Sequence, residues 1–423
     1  MKLSQVIEIE DLRGMARRHL PKIVFDWIEE GAGDEAATRG NLESFQRHRF
    51  LPRYLRDVSR REQSTTLFGQ SHASPFGFTP TGMQGLIRPG GERLMAQAAA
   101  RAGIPYVLSG LSTTPMEEVA AAAGGRMWYQ PYPTADQAIV DDLIRRARDA
   151  GATTLVVTAD LPVEGLRLRS LRNRRSGRPN PGVVLEALRH PRWILDYLRA
   201  DPRLQDLAPY ARAGASRREL HLLFGREYTP VRAKQTWSDL ERYRRLWPRS
   251  LVVKGLVSPS DALQAVELGA DGIVVSNHGG RQLERAPAPL DVLPQVRAAV
   301  GDRAAILLDG GIRRGSDIVT ALCLGARFVF IGRAALYGLA AGGQAGVSRA
   351  VELLQEEIDL VLGQIGCTAI DQLGPEWLWQ PDLPRQGVGA PSRNTLSLVG
   401  CAPPVAVPAG PAAARETAGG RAR

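Results

Sequence analysis

Ten consecutive residues, Gly272 to Arg281 (Gly-Ile-Val-Val-Ser-Asn-His-Gly-Gly-Arg), run from an apolar, strand-like stretch into a polar, glycine-rich turn. That turn offers a histidine and an arginine three positions apart, and a base beside a fixed cation can hold a small anion while moving one of its protons. Other reactive side chains stand just beyond short apolar runs. Lys254 follows Leu251-Val252-Val253, where an ammonium cannot easily reach water and so needs an anion or a developing negative charge. Asp160, after Leu155-Val156-Val157-Thr158-Ala159, could hold the His278 imidazole in one tautomer and stabilise its protonated form. Arg167 and Arg281 suit a clamp on a carboxylate, because guanidinium forks pair bidentately with planar anions, and Tyr132 adds a phenol donor. Taken singly, each has an ordinary reading as a capped turn or a solvated side chain.

Two glycine-rich turns suggest a phosphate. Asp309-Gly310-Gly311-Ile312-Arg313-Arg314-Gly315 closes one apolar run, and Gly332-Arg333 closes the next. Glycines let backbone N–H groups approach an anion closely, and arginines add charge-assisted hydrogen bonds. A phosphorylated cofactor or substrate is expected there. His19, His48, His72, His190 and His221 read as surface or helix residues without a supporting motif. Neither a two-histidine helix face nor a CxxC pair occurs, so no metal site is expected.

The elements that must carry these residues repeat one plan: amphipathic helix, Gly or Gly-Ala turn, short apolar strand. Eight strand candidates emerge: Phe76–Thr79, Pro105–Leu108, Met127–Gln130, Leu155–Val157, Leu251–Val253, Ile273–Val275, Ile306–Leu308 and Phe328–Ile331. Eight such units predict an α/β fold, a closed (β/α)8 TIM barrel with its active site at the C-terminal strand ends; the alternative is an open, doubly wound sheet. Polar or glycine residues follow all eight strands. The expected organisation is one barrel domain over 1–400. It includes a helical N-terminal extension (1–70), a basic insertion after strand four (167–235) and a disordered tail (401–423) rich in Ala, Pro and Gly.

The 423 residues, 44% hydrophobic and 23% charged, describe a chain with ample core. Its net charge of +10 is concentrated: the span Arg167–Lys234 holds sixteen basic residues against six acids, which equals the whole excess. Trp193, Ile194, Leu195 and Tyr197 lie among those arginines, a composition suited to docking on an anionic membrane surface, with electrons then passing to a membrane quinone. No nucleic-acid recognition motif accompanies the charge. Three cysteines (Cys323, Cys367, Cys401) without metal-ligand spacing suit a reducing compartment. Met1–Leu20 lacks a signal-peptide core, and no run approaches eighteen apolar residues. A cytoplasmic protein is expected, peripheral on the inner face of the cell membrane if the insertion docks.

Assembled, these motifs resemble the FMN-dependent 2-hydroxy acid dehydrogenases and oxidases. The resemblance runs from about Leu20-Pro21-Lys22 to about Cys367 and rests on Ser276–Leu283, Asp309–Asp317, Pro80-Thr81-Gly82 and the isolated Lys254. Individual stretches are most similar to the mandelate- and lactate-oxidising members. The resemblance implies that FMN contacts Pro80, Thr81, Gly82, Ser109, Gln130, Thr158, Lys254 and Ser276. Its phosphate would lie among Asp309, Gly310, Gly311, Ile312, Arg313, Gly332 and Arg333. The substrate would meet Trp27, Tyr132, Arg167 and Arg281, with His278 as base and Asp160 behind it. A homotetramer is implied as well. Gly82 is similar to the dehydrogenase branch, since oxidases there more often carry alanine. Three departures stand out: Phe25-Asp26-Trp27 replaces the family's Tyr-Asp-Tyr, Arg167-Leu168-Arg169-Ser170 replaces Arg-x-x-Asp, which removes an acid, and Asn173-Arg174-Arg175 is only partly family-like. The implied reaction is oxidation of an (S)-2-hydroxy acid to the 2-oxo acid; the alternatives are an oxygen-using oxidase or another FMN-barrel enzyme, such as a peptide-tailoring oxidase.

Overall fold

Alternation along the strands decides this architecture. In the computed structural model, which describes residues 1–379 apart from 176–177, 201, 212–215, 217–218 and 220–228, eight parallel strands close into one barrel. They are β1 (Phe76–Phe78), β2 (Tyr106–Ser109), β3 (Met127–Gln130), β4 (Thr154–Thr158), β5 (Ser250–Leu256), β6 (Gly272–Val275), β7 (Ala305–Asp309) and β8 (Phe328–Ile331). Successive side chains point to opposite faces, so one set fills the barrel and the other meets the helices. Val107, Trp128, Val156, Val252, Val274, Leu307, Phe328 and Phe330 form one buried cluster inside, and Leu67, from a hairpin over Thr65–Leu67 and Gln70–His72, joins it. Their neighbours Leu108, Tyr129, Leu155, Val253, Ile273, Leu308 and Val329 belong to the larger core beneath the helices.

Stepping two residues on from the inner apolar layer reaches Ser109, Gln130, Thr158, Lys254, Ser276 and Asp309, all buried. The inside of the barrel therefore changes from apolar to polar at one level, on six strands together. Lys254 lies within β5 rather than after it, since that strand runs on to Leu256. Each strand is followed by a helix, from Gly91–Arg101 after β1 to Arg333–Ile365 after β8. The helix following β4 is Trp237–Leu246, beyond the insertion.

The N-terminal extension contributes α1 (Ile9–His19), α2 (Lys22–Glu29) and α3 (Ala36–Gln46). The insertion contributes α4 (Pro181–Ala187) and α5 (Pro191–Ala200). Asn173 Nδ2 donates to Asp26 (2.8 Å), Ser170 Oγ to Glu30 (2.6 Å) and Arg169 to Glu35 (2.6 Å). The start of the insertion is thereby fastened to α2 and to the segment 30–35 that leads into α3. Arg212, Arg217, Arg218, Arg226, His221, Cys401 and the expected tail lie outside the described residues. His72, expected at a surface or on a helix, is instead buried in the hairpin, and its burial beside Arg126 pushes its pKa down to about 4.

Candidate active site at the barrel mouth

A cavity of about 330 Å³ opens at the C-terminal strand ends. It is bordered by Trp27, Pro80, Thr81, Gly82, Tyr132, Arg167, Lys254, His278, Arg281, Asp309, Gly310, Gly311, Ile312, Arg313, Gly332 and Arg333, each of them a candidate from the sequence. Ser109, Gln130, Thr158 and Ser276 do not border it; they lie in the buried polar layer. Leu111, whose size leaves room for a larger substrate side chain than a bulky aromatic would, borders it too, as do residues that sequence reasoning did not single out: Ile28, Thr79, Met83, Glu164, Phe330 and Leu336.

His278 is held from both sides. Its φ of 57° is left-handed, a conformation that costs a non-glycine residue energy and clusters at functional sites. The turn is braced by Asn277, whose Oδ1 accepts from Gly280 N (3.0 Å) and which exchanges two amide hydrogen bonds with Asn41 of α3 (2.8 and 2.7 Å). Asp160 Oδ1 lies 2.9 Å from His278 Nδ1. A carboxylate only accepts, so Nδ1 carries the proton and Nε2 is left for chemistry. Burial pushes the Asp160 carboxyl up, but the His278 imidazole and the Lys254 ammonium outweigh it and hold the pKa below the ordinary value. Gly255, at φ 104°, makes the room: a Cβ there would come within 2.4 Å of Asp160 Cγ.

Lys254 Nζ lies 2.9 Å from both Ser276 Oγ and Asp309 Oδ2, and Thr79 Oγ1 donates to the same Asp309 oxygen (2.8 Å). Burial alone would lower the lysine's pKa, yet Asp309 and Asp160 raise it, so the ammonium stays charged at the cavity floor.

The arginines depart from expectation in one respect. Arg281 Nη1 donates to the carbonyls of Trp27 (2.8 Å), Ile28 (3.3 Å) and Glu30 (3.0 Å) at the end of α2. Arg333 was expected to serve a phosphate, but its guanidinium donates to the carbonyls of Ile28 (2.9 Å), Gly279 (2.9 Å) and Glu30 (3.0 Å). Helix C-terminal carbonyls carry partial negative charge, which explains the attraction. Desolvation, with Arg167 and Arg333 alongside, pushes the Arg281 pKa well below the ordinary guanidinium range. A guanidinium keeps its proton in proteins, so this crowding of cations makes the mouth attractive to an anion. Arg167 Nη2 donates to Gln282 (3.1 Å), while its Nε is buried with no protein partner.

Two of the departures from the motif acquire physical accounts. Trp27 packs its ring 5.9 Å from the Arg281 guanidinium, a cation–π contact. The acid missing at position 170 is supplied by Glu30, fully buried, which accepts from Ser170 N (2.9 Å) and Oγ (2.6 Å). Nothing in the spacing of Glu30 announced that role, because it comes from another element.

A base held by a carboxylate, a cluster of cations and a glycine-lined turn now share one mouth. Residues 16–380 match the family model for FMN-dependent dehydrogenases. The chain belongs to that family. It is 42% identical to (S)-mandelate dehydrogenase of Pseudomonas putida over 378 residues, 89% of this chain and 94% of that protein. It is 39% identical to L-lactate dehydrogenase of Caulobacter vibrioides over 381 residues, 89% of this chain and 98% of that one. A crystal structure described as monotopic membrane protein (S)-mandelate dehydrogenase superposes with a TM-score of 0.84 at 41% identity, covering 89% of this chain and 99% of that chain.

The dehydrogenase's mouth fits FMN by its chemistry. Lys254 offers a fixed positive charge to a ring system whose reduced form is negative near N1 and O2. Gly310 and Gly311 (φ 101° and 90°) bring the chain close around the rim, where Arg313 also borders the cavity. Among the described residues, no group of three His, Cys, Asp or Glu is placed to hold a metal.

Proposed function

We propose that this dehydrogenase oxidises an (S)-2-hydroxy acid of mandelate or lactate type to the 2-oxo acid. The observation that carries this reading is the His278–Asp160 contact of 2.9 Å beside the guanidiniums of Arg281 and Arg167 on one cavity. The substrate carboxylate binds Arg281, Arg167 and the Tyr132 phenol, with the Trp27 ring closing that side. His278 Nε2 then faces the reacting carbon and its hydroxyl, and takes one of the two protons that leave. Asp160, kept ionised, stabilises the imidazolium that results. FMN, when bound, supplies the two-electron acceptor. Pro80, Thr81, Gly82 and Lys254 hold its ring over the buried layer of Ser109, Gln130, Thr158 and Ser276. The turn Asp309–Arg313 with Gly332 holds its phosphate. Arg333 supports that site through the α2 carbonyls.

The relative described as monotopic supports a peripheral membrane setting, and the insertion carries a suitable face. Leu185 on α4, Leu188 just after it, and Leu195 and Leu198 on α5 are exposed, beside exposed Arg189, Arg192 and Arg199. Of the apolar residues expected to dock, only Leu195 belongs to this exposed set. The Trp193 indole turns inward to donate to Leu86 O (2.8 Å) and stacks on Tyr197 (5.0 Å). Among the described residues no helix is long and apolar enough to cross a membrane. The electrons then pass to a membrane quinone, from a homotetramer seated on the inner face of the cell membrane.

Anaerobic mixing with (S)-mandelate, L-lactate and glycolate tests the reaction. At least one should bleach the flavin absorbance, the (R)-enantiomers of mandelate and lactate should not, and reoxidation should be fast with a quinone and slow with oxygen. If no acid bleaches the flavin, the catalytic assignment fails; fast oxygen turnover returns the oxidase alternative.

A further inference from the structure

The loop after β1 hides a side chain outside the cavity, every polar atom of which is engaged. Gln84 is completely buried. Its N–H donates to Glu92 Oε1 (2.9 Å), and its carbonyl accepts from Ile87 N (2.9 Å) and Arg88 N (3.0 Å). Its side-chain Nε2 donates to Thr81 O (3.0 Å) and to Thr81 Oγ1 (2.7 Å), while its Oε1 lies 3.3 Å from the Tyr106 hydroxyl. The amide orientation is unambiguous, because Thr81 O can only accept and must face the NH2 end.

The frame around Gln84 is rigid. Glu92, also fully buried, accepts from Thr113 N (3.0 Å), Thr113 Oγ1 (2.9 Å) and Thr114 Oγ1 (2.9 Å), which joins the loops after β1 and β2. A Cβ at Gly91 would meet Gln84 O at 2.6 Å, so the loop rests directly on the helix behind it. The consequence falls on Thr81, which borders the cavity. Its hydroxyl oxygen is occupied as an acceptor by Gln84, and among the described residues its proton goes to no protein group. With one of its two lone pairs taken by Gln84, the hydroxyl keeps its proton directed away from that amide and open to a ligand.

We infer that Gln84 is a positioning residue that orients the Thr81 hydroxyl as a hydrogen-bond donor to the flavin, and so raises the flavin's tendency to accept electrons. The inference rests on the proposed placement of Thr81 against FMN. A donor aimed at the ring favours the electron-rich reduced form, because reduction adds negative charge. Without Gln84 the Thr81 hydroxyl can rotate or donate back to the protein, and that preference falls.

The test is a double-mutant cycle in the purified holoenzyme with Gln84→Met, Thr81→Val and both together, read as the flavin midpoint potential and the oxidised absorption spectrum. Each single variant should weaken the preference for reduced over oxidised FMN about tenfold, equivalent to about 30 mV for a two-electron couple. The double variant should be no lower than Thr81→Val alone, and Thr81→Ser should restore most of the loss. If Thr81→Val leaves potential and spectrum unchanged, Thr81 does not donate to the flavin and its placement is wrong. If Thr81→Val shifts them but Gln84→Met does not, or the two effects add, Gln84 does not act through Thr81. Should Gln84→Met release FMN, Gln84→Asn and Gln84→Glu replace it. The carboxylate cannot donate to Thr81 O and should shift the potential at least as far; an unshifted Gln84→Glu overturns the inference.

Discussion

At the barrel mouth, cations are few, enclosed and individually placed: Lys254 sits between Asp309 and Ser276, and Arg281 between the α2 carbonyls and the Trp27 ring. In the insertion, Arg189, Arg192 and Arg199 are exposed beside exposed leucines. Burial makes each mouth charge costly to leave unpaired, so its geometry is specified and its removal is felt alone. Solvent makes each insertion charge cheap, so these act together, weakly and subject to salt. Breaking the two regions should therefore look different, one residue at a time in the mouth and only collectively in the insertion.

The largest single effect should come from His278. Replacing it with Ala removes the proposed proton acceptor while leaving Lys254 and the glycine turns in place. Flavin reduction by the best acid should slow by about 10³-fold, within the range for general acid–base groups. FMN content, read from the absorbance ratio, should stay near stoichiometric. Fast reduction by the alanine variant would clear His278 of the role of base.

Lys254 comes next and tests whether mouth charges are interdependent. Lys254→Met leaves the buried Asp309 carboxylate facing only Thr79, with its other oxygen already lacking a partner. Breaking a buried pair from one side costs about 3–5 kcal/mol. The variant should melt well below the parent and bind FMN poorly, and adding Asp309→Asn should recover much of the stability. A single variant as stable as the parent would show that the pair is solvated after all.

The same contrast explains what could be read from the chain. The barrel was legible because eight strands each required a buried run with a polar end, a local pattern that the closed sheet confirms strand by strand. Lys254 and Asp160 were legible because each stands at the end of an apolar strand run, where the chain enters the barrel mouth. Glu30 and Asn41 were not, since each reaches the mouth from the N-terminal extension across more than a hundred residues, and no spacing encodes such a contact. Arg333 reads as a phosphate ligand because the glycine before it fits one, while the α2 carbonyls that take its guanidinium belong to a distant element. In the insertion, composition identified an amphipathic segment but not its face; Trp193 is held inward by Leu86, a partner from the loop after β1.

Exposed leucines should matter as a group. Fully burying a leucine is worth about 1.5–3 kcal/mol, and docking at a headgroup boundary recovers part of that for each. Replacing Leu185, Leu188, Leu195 and Leu198 together with Gln should abolish pelleting with anionic vesicles. Any one replacement should reduce it only several-fold, and turnover with a soluble acceptor should hold within about twofold. Salt should weaken binding of the parent, because its arginines steer it to the surface. Vesicle binding unaffected by the quadruple change would send the docking face elsewhere.

Asp206 lies where the insertion packs back against the barrel's helices, and there the rule for buried charge applies to a residue of the insertion. It sits in the returning turn Gln205–Tyr210, accepts from Met116 N (3.0 Å) at the start of the helix after β2, and has Arg146 at 3.8 Å. Burial pushes its carboxyl up to about 7, with Glu117 and Glu92 adding to the rise, although the Met116 N–H and Arg146 pull the other way. Burial prevails because Oδ2 has no partner. The buried phenol of Tyr129 and the Tyr210 hydroxyl, both coupled to this cluster, titrate above the ordinary tyrosine range and stay neutral here. Between the ordinary value of 3.8 and about 7, the folded chain holds a proton that the unfolded chain has lost. Stability from this group therefore falls as pH rises through that window. Asp206→Asn cannot ionise, so it should melt about 2 °C above the parent at pH 8, with the gain shrinking through pH 5 and vanishing toward the ordinary carboxylate value. A variant less stable at pH 8 would mean that the ion pair with Arg146 outweighs burial, and that this junction is held by charge, as the mouth is.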